Sequence, residues 1–136
     1  MKCIVYPLDT LKEYKYVVIF SRYKGGLLLS RHKQRDTWET QGGHIETEET
    51  PMMAAARELM EESGAEEFTL KPLCDYYAQD ETSHANGRVF VADIGTLGPL
   101  PLSEMAETAL FDKLPENLTY PGITPVLYSH LQENDI

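Results

Sequence analysis

Three carboxylates on one predicted helix, residues 51–63, constrain this sequence more than any other feature. Glu58, Glu61 and Glu62 have i, i+3 and i+4 spacing, so an α-helix places them within one narrow arc. Like charges at this spacing repel one another and weaken a helix. The cluster therefore indicates either a well-solvated acidic surface or a site for cations, and hard divalent cations favour oxygen ligands.

The residues around this helix predict where it begins and ends. Thr50 is a favourable N-cap, and Pro51 suits the first helical position because its missing N–H has no helical partner there. Gly64 can adopt the positive φ that commonly ends a helix. The predicted apolar stripe, turned away from the carboxylates, consists of Met52, Ala55, Ala56, Leu59 and Ser63.

Glu49 and Arg57 form a second predicted unit beside the carboxylates. Glu49 lies in the loop just before the helix, and Arg57 lies within the helix. An arginine at that position can reach back and bind the loop carboxylate with two hydrogen bonds. We expect this pair to fix the shape of the loop and to have no catalytic role.

These residues fit the pattern G-x5-E-x7-R-E-U-x-E-E-x-G-U, in which U is a bulky aliphatic residue, and through it the chain resembles the Nudix hydrolases. Leu59 fills the first aliphatic position, and Ala65 is smaller than the usual residue at the last. The resemblance implies an α/β fold, specifically a Nudix-type α/β/α sandwich with a mixed central sheet. The charged and glycine positions are all filled, by Gly43, Glu49, Arg57, Glu58, Glu61, Glu62 and Gly64.

The resemblance also implies a metal site. Glu58 and Glu62 would bind a divalent cation directly, Glu61 would bind it directly or through water, and the backbone carbonyl of Gly42 would face it. The expected cofactor is Mg²⁺, for which Mn²⁺ can substitute. Glu58, Glu61 and Glu104 are the expected catalytic residues, and either Glu58 or Glu104 would accept the proton of the attacking water. Gly43, Glu49, Arg57 and Gly64 would support the metal loop.

The sequence on either side of this motif extends the resemblance. Relatives carry tryptophan and then Pro-Gly-Gly before the motif, whereas this chain has Trp38 and then Gln41 in place of the proline. Trp38 and Arg31 are candidate substrate-binding residues, with packing and an ordinary surface position as the respective alternatives. Glu104 is preferred to Glu107 as the further carboxylate that relatives supply after the motif.

The resemblance implies hydrolysis of a nucleoside diphosphate linked to another group. We expect a MutT-like enzyme that converts a nucleoside triphosphate, including an oxidised purine such as 8-oxo-dGTP, to the monophosphate and pyrophosphate. The purine-binding asparagine of that branch has no counterpart in residues 120–124. The alternatives are an ADP-ribose or nucleotide-sugar pyrophosphatase, an RNA 5′-end pyrophosphohydrolase, and a non-catalytic nucleotide sensor.

Composition narrows the expected partners. The 136 residues carry a net charge of −10, which disfavours binding to polymeric nucleic acid and leaves a small nucleotide as the expected ligand. Cys3 and Cys74 match neither a disulfide framework nor a zinc site, and no apolar run would span a membrane. We therefore expect a cytoplasmic protein with one domain over residues 1–136, either a monomer or a homodimer.

Local patterns predict the remaining elements. Strands are expected at 16–21 and 27–30, with Lys24-Gly25-Gly26 as the hairpin turn between them. A polar loop containing Asn86 and Gly87 is expected between two later strands. Those strands are 68–77 and 88–94; a short strand is expected at 108–111, and a helix at 123–132 whose predicted apolar positions include Val126 and Leu127.

Overall fold

The computed structural model describes residues 1–134, which form one mixed β-sheet with a helix on each face. The strand order is β1-β5-β6-β2-β3-β7, and the short β4 pairs with β2. Strands β2 and β6 are parallel to each other, and the other pairs are antiparallel. The elements are β1 (Lys2–Tyr6), β2 (Tyr14–Tyr23), β3 (Gly26–His32), β4 (Gln41–His44), α1 (Pro51–Ser63), β5 (Ala65–Gln79), β6 (His84–Leu97), β7 (Met105–Phe111) and α2 (Thr124–Asn134).

The two faces of the central strands bury separate cores, because successive side chains of a strand point in opposite directions. In β2, Val17 and Ile19 pack towards α1, while Phe20 packs towards α2. Leu59 of α1 and Leu127 of α2 are both fully buried against the sheet. The α/β/α sandwich expected from the sequence is therefore confirmed.

The hairpin between β2 and β3 forms where it was predicted, although Gly26, which the sequence assigned to the turn, is the first residue of β3. Tyr23 pairs with Gly26, which leaves Lys24 and Gly25 as a two-residue turn. Both turn residues have positive φ, 49° for Lys24 and 79° for Gly25. This is the turn geometry that matches the twist of an antiparallel pair, and glycine adopts it readily.

Three sequence predictions about elements were wrong. Asn86 and Gly87 lie within β6, not in a loop. The ring of Tyr76 covers Gly87 so closely that a Cβ there would lie 2.3 Å from a ring carbon. In α1 the buried stripe contains Ala54, whereas Met52 is exposed, and in α2 Val126 is also exposed.

Strands β1 and β4 were not predicted at all. Each pairs with a strand that is distant in sequence, β1 with β5 and β4 with β2. Within residues 1–134, neither helix has both the length and the apolar character needed to cross a bilayer.

Candidate active site

Helix α1 begins and ends where the capping residues predict. The Thr50 hydroxyl accepts a hydrogen bond from the Met53 amide at 3.1 Å, and Pro51 opens the helix. At the other end, Gly64 has φ 84° and its amide donates to the Met60 carbonyl at 3.1 Å. Both ends of the helix are therefore fixed, and so are the positions from which its carboxylates extend.

Arg57 ties this helix to the preceding loop. Its guanidinium binds Glu49 with two hydrogen bonds, of 2.8 and 2.9 Å, in the bidentate geometry expected from the sequence. It also donates to the His44 carbonyl at 3.0 Å and pairs with Glu58 at 2.5 Å. The Arg57 guanidinium holds the pKa of Glu49 down at about 2. The Arg57 guanidinium thus holds the loop between β4 and α1 in place.

Glu58 lies directly against the glycine pair of β4. A Cβ at Gly43 would fall 2.7 Å from Glu58 Oε2, so only glycine allows this close approach. The Glu58 side chain is 12% exposed, and burial raises the pKa of its carboxyl above the ordinary value despite the opposing effect of Arg57. Gly43 therefore has a steric role at the site.

Glu62 is the most enclosed of the three helix carboxylates. Its Oε1 accepts a hydrogen bond from the Gly42 amide at 2.8 Å. Burial, together with the nearby charge of Glu58 and Glu39, raises the pKa of Glu62 to about 8. Among residues 1–134, no lysine or arginine forms an ion pair with Glu62. Its environment is suited to a positive ion.

These groups border a cavity of about 410 Å³, which we call the acidic cavity. Glu58 and Glu62 line it, whereas Glu61 points outward, with a side chain that is 54% exposed and lies 3.6 Å from Arg57. The lining residues are His32, Arg35, Glu39, Gly42, Gly43, His44, Glu46, Arg57, Glu58, Glu62, Glu104, Met105 and Tyr120.

The acidic cavity has the donor chemistry for a hard divalent cation. Carboxylates of Glu58 and Glu62 meet the backbone of Gly42 there. Within the part of the chain that the structure describes, no three His, Cys, Asp or Glu side chains already converge as a complete metal cluster. Magnesium does not require one, because it commonly keeps several waters and uses one or two carboxylates together with substrate phosphates.

The structure separates the two candidate carboxylates on β7 and the segment before it. Glu104 lines the acidic cavity and lies 3.6 Å from His32 Nε2. Glu107 instead binds Arg31 at 2.8 Å and is not part of the cavity wall. The position of Glu104 is compatible with the role predicted for it.

Neither predicted substrate-binding residue borders the acidic cavity. Besides Glu107, Arg31 binds the backbone carbonyls of His32 and Arg35, so it stabilises the loop after β3. Trp38 packs edge-on against Phe111, with ring centroids 5.1 Å apart, in the core below α2. The contacts of both residues match the structural alternatives that the sequence left open.

A second cavity of about 480 Å³, the lateral cavity, adjoins the first. Both are bordered by Gly42, Gly43 and Tyr120. Tyr16 and His44, whose ring centroids are 4.5 Å apart, form part of the lateral wall. A ligand with a charged end and a ring system could therefore extend from one cavity into the other.

Sequence reasoning missed Arg35 and Glu39 at this site. Glu39 is 7% exposed, and its carboxylate accepts from Arg35 at 3.1 Å and from the Thr119 hydroxyl at 3.0 Å. Arg35 lines the acidic cavity with a side chain that is 43% exposed. The spacing of the two residues was the available signal, but an i, i+4 charge pair usually indicates an exposed helix, and this segment is a loop.

The chain is similar to known proteins in sequence. The family model described as NUDIX domain matches residues 13–117. YtkD of Bacillus subtilis (strain 168), provisionally assigned as an 8-oxo-dGTP diphosphatase, is 35% identical over 106 residues, or 77% of this chain, and the chain spans 66% of the length of YtkD.

Solved structures of hydrolases are also similar to this chain. The Bacillus subtilis pyrophosphohydrolase BsRppH is 27% identical and superposes with a TM-score of 0.80 over 98% of this chain and 91% of its own. A NUDIX-family hydrolase from Clostridium perfringens is 21% identical, with a TM-score of 0.69 over 90% of this chain and 99% of its own. The second likeness concerns the fold alone.

Proposed function

The chain belongs to the Nudix hydrolase family of enzymes, and we propose that it hydrolyses a nucleoside triphosphate to the monophosphate and pyrophosphate. One observation carries this proposal: the acidic cavity, with the Glu58 and Glu62 carboxylates, opens beside a larger cavity with aromatic walls. The first suits a phosphate chain with its cation, and the second suits a nucleoside. The reacting phosphates would lie at the border that the two cavities share, at Gly42 and Gly43.

Glu58, Glu62 and the Gly42 carbonyl are the proposed holders of a divalent cation, Mg²⁺ by preference and Mn²⁺ as a substitute. Such an ion, when bound, makes water more acidic and neutralises the charge of phosphate oxygens. Glu61 stands further out and would contribute through water. These assignments rest on the donor set of the cavity and on family membership.

The protein side chains then have separate tasks. Arg57 orients Glu58, and the Gly42 amide orients Glu62. Arg35, which Glu39 fixes at the cavity wall, can donate to a substrate phosphate. The proton of the attacking water would go to a carboxylate that is not fully committed elsewhere, and Glu58 and Glu104 both line the cavity in positions to accept it.

The likeness to YtkD makes an oxidised purine nucleotide, such as 8-oxo-dGTP, the first substrate to test. The segment between β7 and α2 supplies Tyr120 to both cavities and Ile123 to the lateral one, and Thr124 at the start of α2 also borders the lateral cavity. Recognition of the base would therefore rely on aromatic packing and the Thr124 hydroxyl, since this segment contains no asparagine between residues 120 and 124.

Product analysis with magnesium and a substrate panel tests the proposal. The panel holds ordinary and oxidised nucleoside triphosphates, ADP-ribose and a UDP-sugar. Monophosphate plus pyrophosphate, formed from a triphosphate and absent with Glu62→Gln, is the expected result. If only ADP-ribose or the UDP-sugar is cleaved, the proposed substrate class is wrong and the protein is an ADP-ribose or nucleotide-sugar pyrophosphatase. If nucleotides bind and none is cleaved, the protein is a nucleotide sensor and not an enzyme.

A further inference from the structure

A buried hydrogen-bond network surrounds Gln41, at the position where the Nudix pattern usually has proline. The side chains of Gln41, Ser21 and Ser30 are all fully buried. Ser21 donates to Gln41 Oε1 at 2.6 Å, and Gln41 Nε2 donates to the Leu28 carbonyl at 3.2 Å and to Ser30 Oγ at 2.9 Å. A proline side chain could make none of these hydrogen bonds.

The network reaches Glu62 through Ser30. The Ser30 hydroxyl accepts from Gln41 and donates to the backbone carbonyl of Glu62 at 2.8 Å. Carbonyls in the last turn of a helix lack helical partners, and this contact supplies one within the final turn of α1. Gln41 thereby links strands β2 and β3 to the end of the helix that carries Glu62.

Gly42, the residue after Gln41, binds the carboxylate of Glu62. The Gly42 amide donates to Glu62 Oε1. The carboxylate of Glu62 is therefore held by the residue next to Gln41, and its backbone carbonyl is held by Ser30, which is hydrogen-bonded to Gln41. A shift of the Gln41 side chain would move Ser30, and a shift of its backbone would move Gly42. The two contacts together set where the carboxylate lies relative to β4.

We propose that Gln41 is a positioning residue for the divalent cation, acting through Ser30 and Gly42 on Glu62. This inference rests on the proposed function, because Glu62 matters in this way only if it binds the cation. Hydrogen-bond partners behind a metal ligand typically change metal affinity about 10- to 100-fold when they are removed.

Gln41→Met tests the inference, since methionine keeps the length of the side chain and lacks both the amide oxygen and the amide nitrogen. We expect the dissociation constant for Mn²⁺, measured by electron paramagnetic resonance without substrate, to rise about tenfold or more. We also expect a raised Mn²⁺ concentration to restore kcat. A residue that only supports the fold would not give a defect that added metal reverses.

Two further variants separate positioning from stability. Ser30→Ala should weaken Mn²⁺ binding in the same direction, and Gln41→Met should have a smaller effect in the double variant than alone, because the route from Gln41 through Ser30 is already broken. Val89→Ala is the control: Val89 is fully buried on the α2 side of the sheet, so it should lower thermal stability and leave the Mn²⁺ dissociation constant unchanged.

The outcomes distinguish this inference from the proposed function. If wild-type protein does not bind Mn²⁺, or if Glu62→Gln binds it equally well, the proposed metal site fails and the inference fails with it. If wild type binds and Glu62→Gln weakens binding while Gln41→Met and Ser30→Ala bind like wild type, only the role of Gln41 is overturned. Should Gln41→Met not fold, Ser30→Ala alone decides.

Discussion

At Glu62, a largely buried carboxylate accepts one hydrogen bond from Gly42 and faces the carboxylates of Glu58 and Glu39. Because burial raises the pKa of Glu62 from about 4.5 to about 8, the folded protein binds a proton at Glu62 more tightly than the unfolded chain does. The metal-free fold should therefore lose stability as pH rises from 4.5 towards 8. Stability and the proposed cation binding oppose each other at this residue.

Glu62→Gln should stabilise the protein in the presence of a chelator, by about 1 kcal/mol at pH 8.5 and by less at pH 5, because the neutral amide has no charge to bury. Urea unfolding at the two pH values measures this. We expect Mg²⁺ to raise the thermal stability of wild type, and the same variant should lose this rise. Glu133→Gln, an exposed change on α2, is the matched control and should alter neither quantity.

Arg57 offers a second prediction for a single residue. Arg57→Ala should lower the free energy of unfolding by about 2 kcal/mol, because it leaves Glu49 and Glu58 without their common cation. It should also weaken Mn²⁺ binding, since the loop and Glu58 lose their fixed positions. Arg31→Ala removes an arginine outside the cavity and should leave Mn²⁺ binding unchanged. An unaltered Mn²⁺ affinity in Arg57→Ala would contradict the orienting role.

Among the elements, those with a local signal were predictable. Thr50, Pro51 and Gly64 determine the ends of α1 through contacts within a few residues, and Lys24-Gly25 determines the β2–β3 turn in the same way. The sequence could not show β4, because a segment with two glycines forms a strand here only by pairing with β2. Tertiary pairing overrides weak strand propensity in such cases.

The residues of the site can also be divided into those with a local sequence signal and those without one. Glu58, Glu62 and the Glu49–Arg57 pair follow from helical spacing and the motif, so the sequence was enough to place them together. Arg35 and Glu39 reach the cavity from an irregular loop whose path depends on a contact with Arg31 and on the distant Thr119. No periodic pattern encodes such a path, whereas Arg31 was a candidate substrate contact because it follows a strand after which relatives often carry a phosphate-binding base.

The connection between β1 and β2 carries a prediction at the element scale. Asp75 of β5 is fully buried and accepts hydrogen bonds from the amides of Thr10 and Leu11, from the Tyr14 hydroxyl and from Arg88. Asp75→Ala should lower the free energy of unfolding by about 3 kcal/mol, because it leaves the two buried amides without an acceptor and leaves Arg88 with only the exposed Asp9 as its acidic partner.

The exposed ion pair on the same sheet gives the comparison for that measurement. Asp93 pairs with Arg22 at 3.0 Å with a side chain that is 61% exposed, so Asp93→Ala should cost less than about 1 kcal/mol. Urea unfolding of both variants measures the two losses in the free energy of unfolding. Equal losses would mean that the buried contacts of Asp75 do not hold the connection.

At the scale of the whole molecule, the five arginines among the 12 lysine and arginine side chains are committed to ion pairs. All five arginines, Arg22, Arg31, Arg35, Arg57 and Arg88, lie within ion-pair distance of a carboxylate, and the net charge is −10. Binding of a nucleic-acid chain draws its affinity from cationic contacts along the phosphate backbone. With 22 acidic side chains against 12 lysine and arginine side chains, the surface disfavours such contacts, so we expect the proposed cation of the acidic cavity to attract the substrate.

Two substrates with the same 5′-triphosphate should therefore differ in rate. We expect kcat/KM for a free purine nucleoside triphosphate to exceed that for a 5′-triphosphate oligoribonucleotide by about tenfold or more at low salt, because the acidic surface repels the attached chain. Raising the salt concentration should narrow the difference by screening that repulsion. Pyrophosphate release with each substrate measures both effects, and a 5′-monophosphate oligomer serves as the blank. Faster cleavage of the oligomer would mean that a surface other than the arginines holds the chain, and the enzyme would then act on RNA ends.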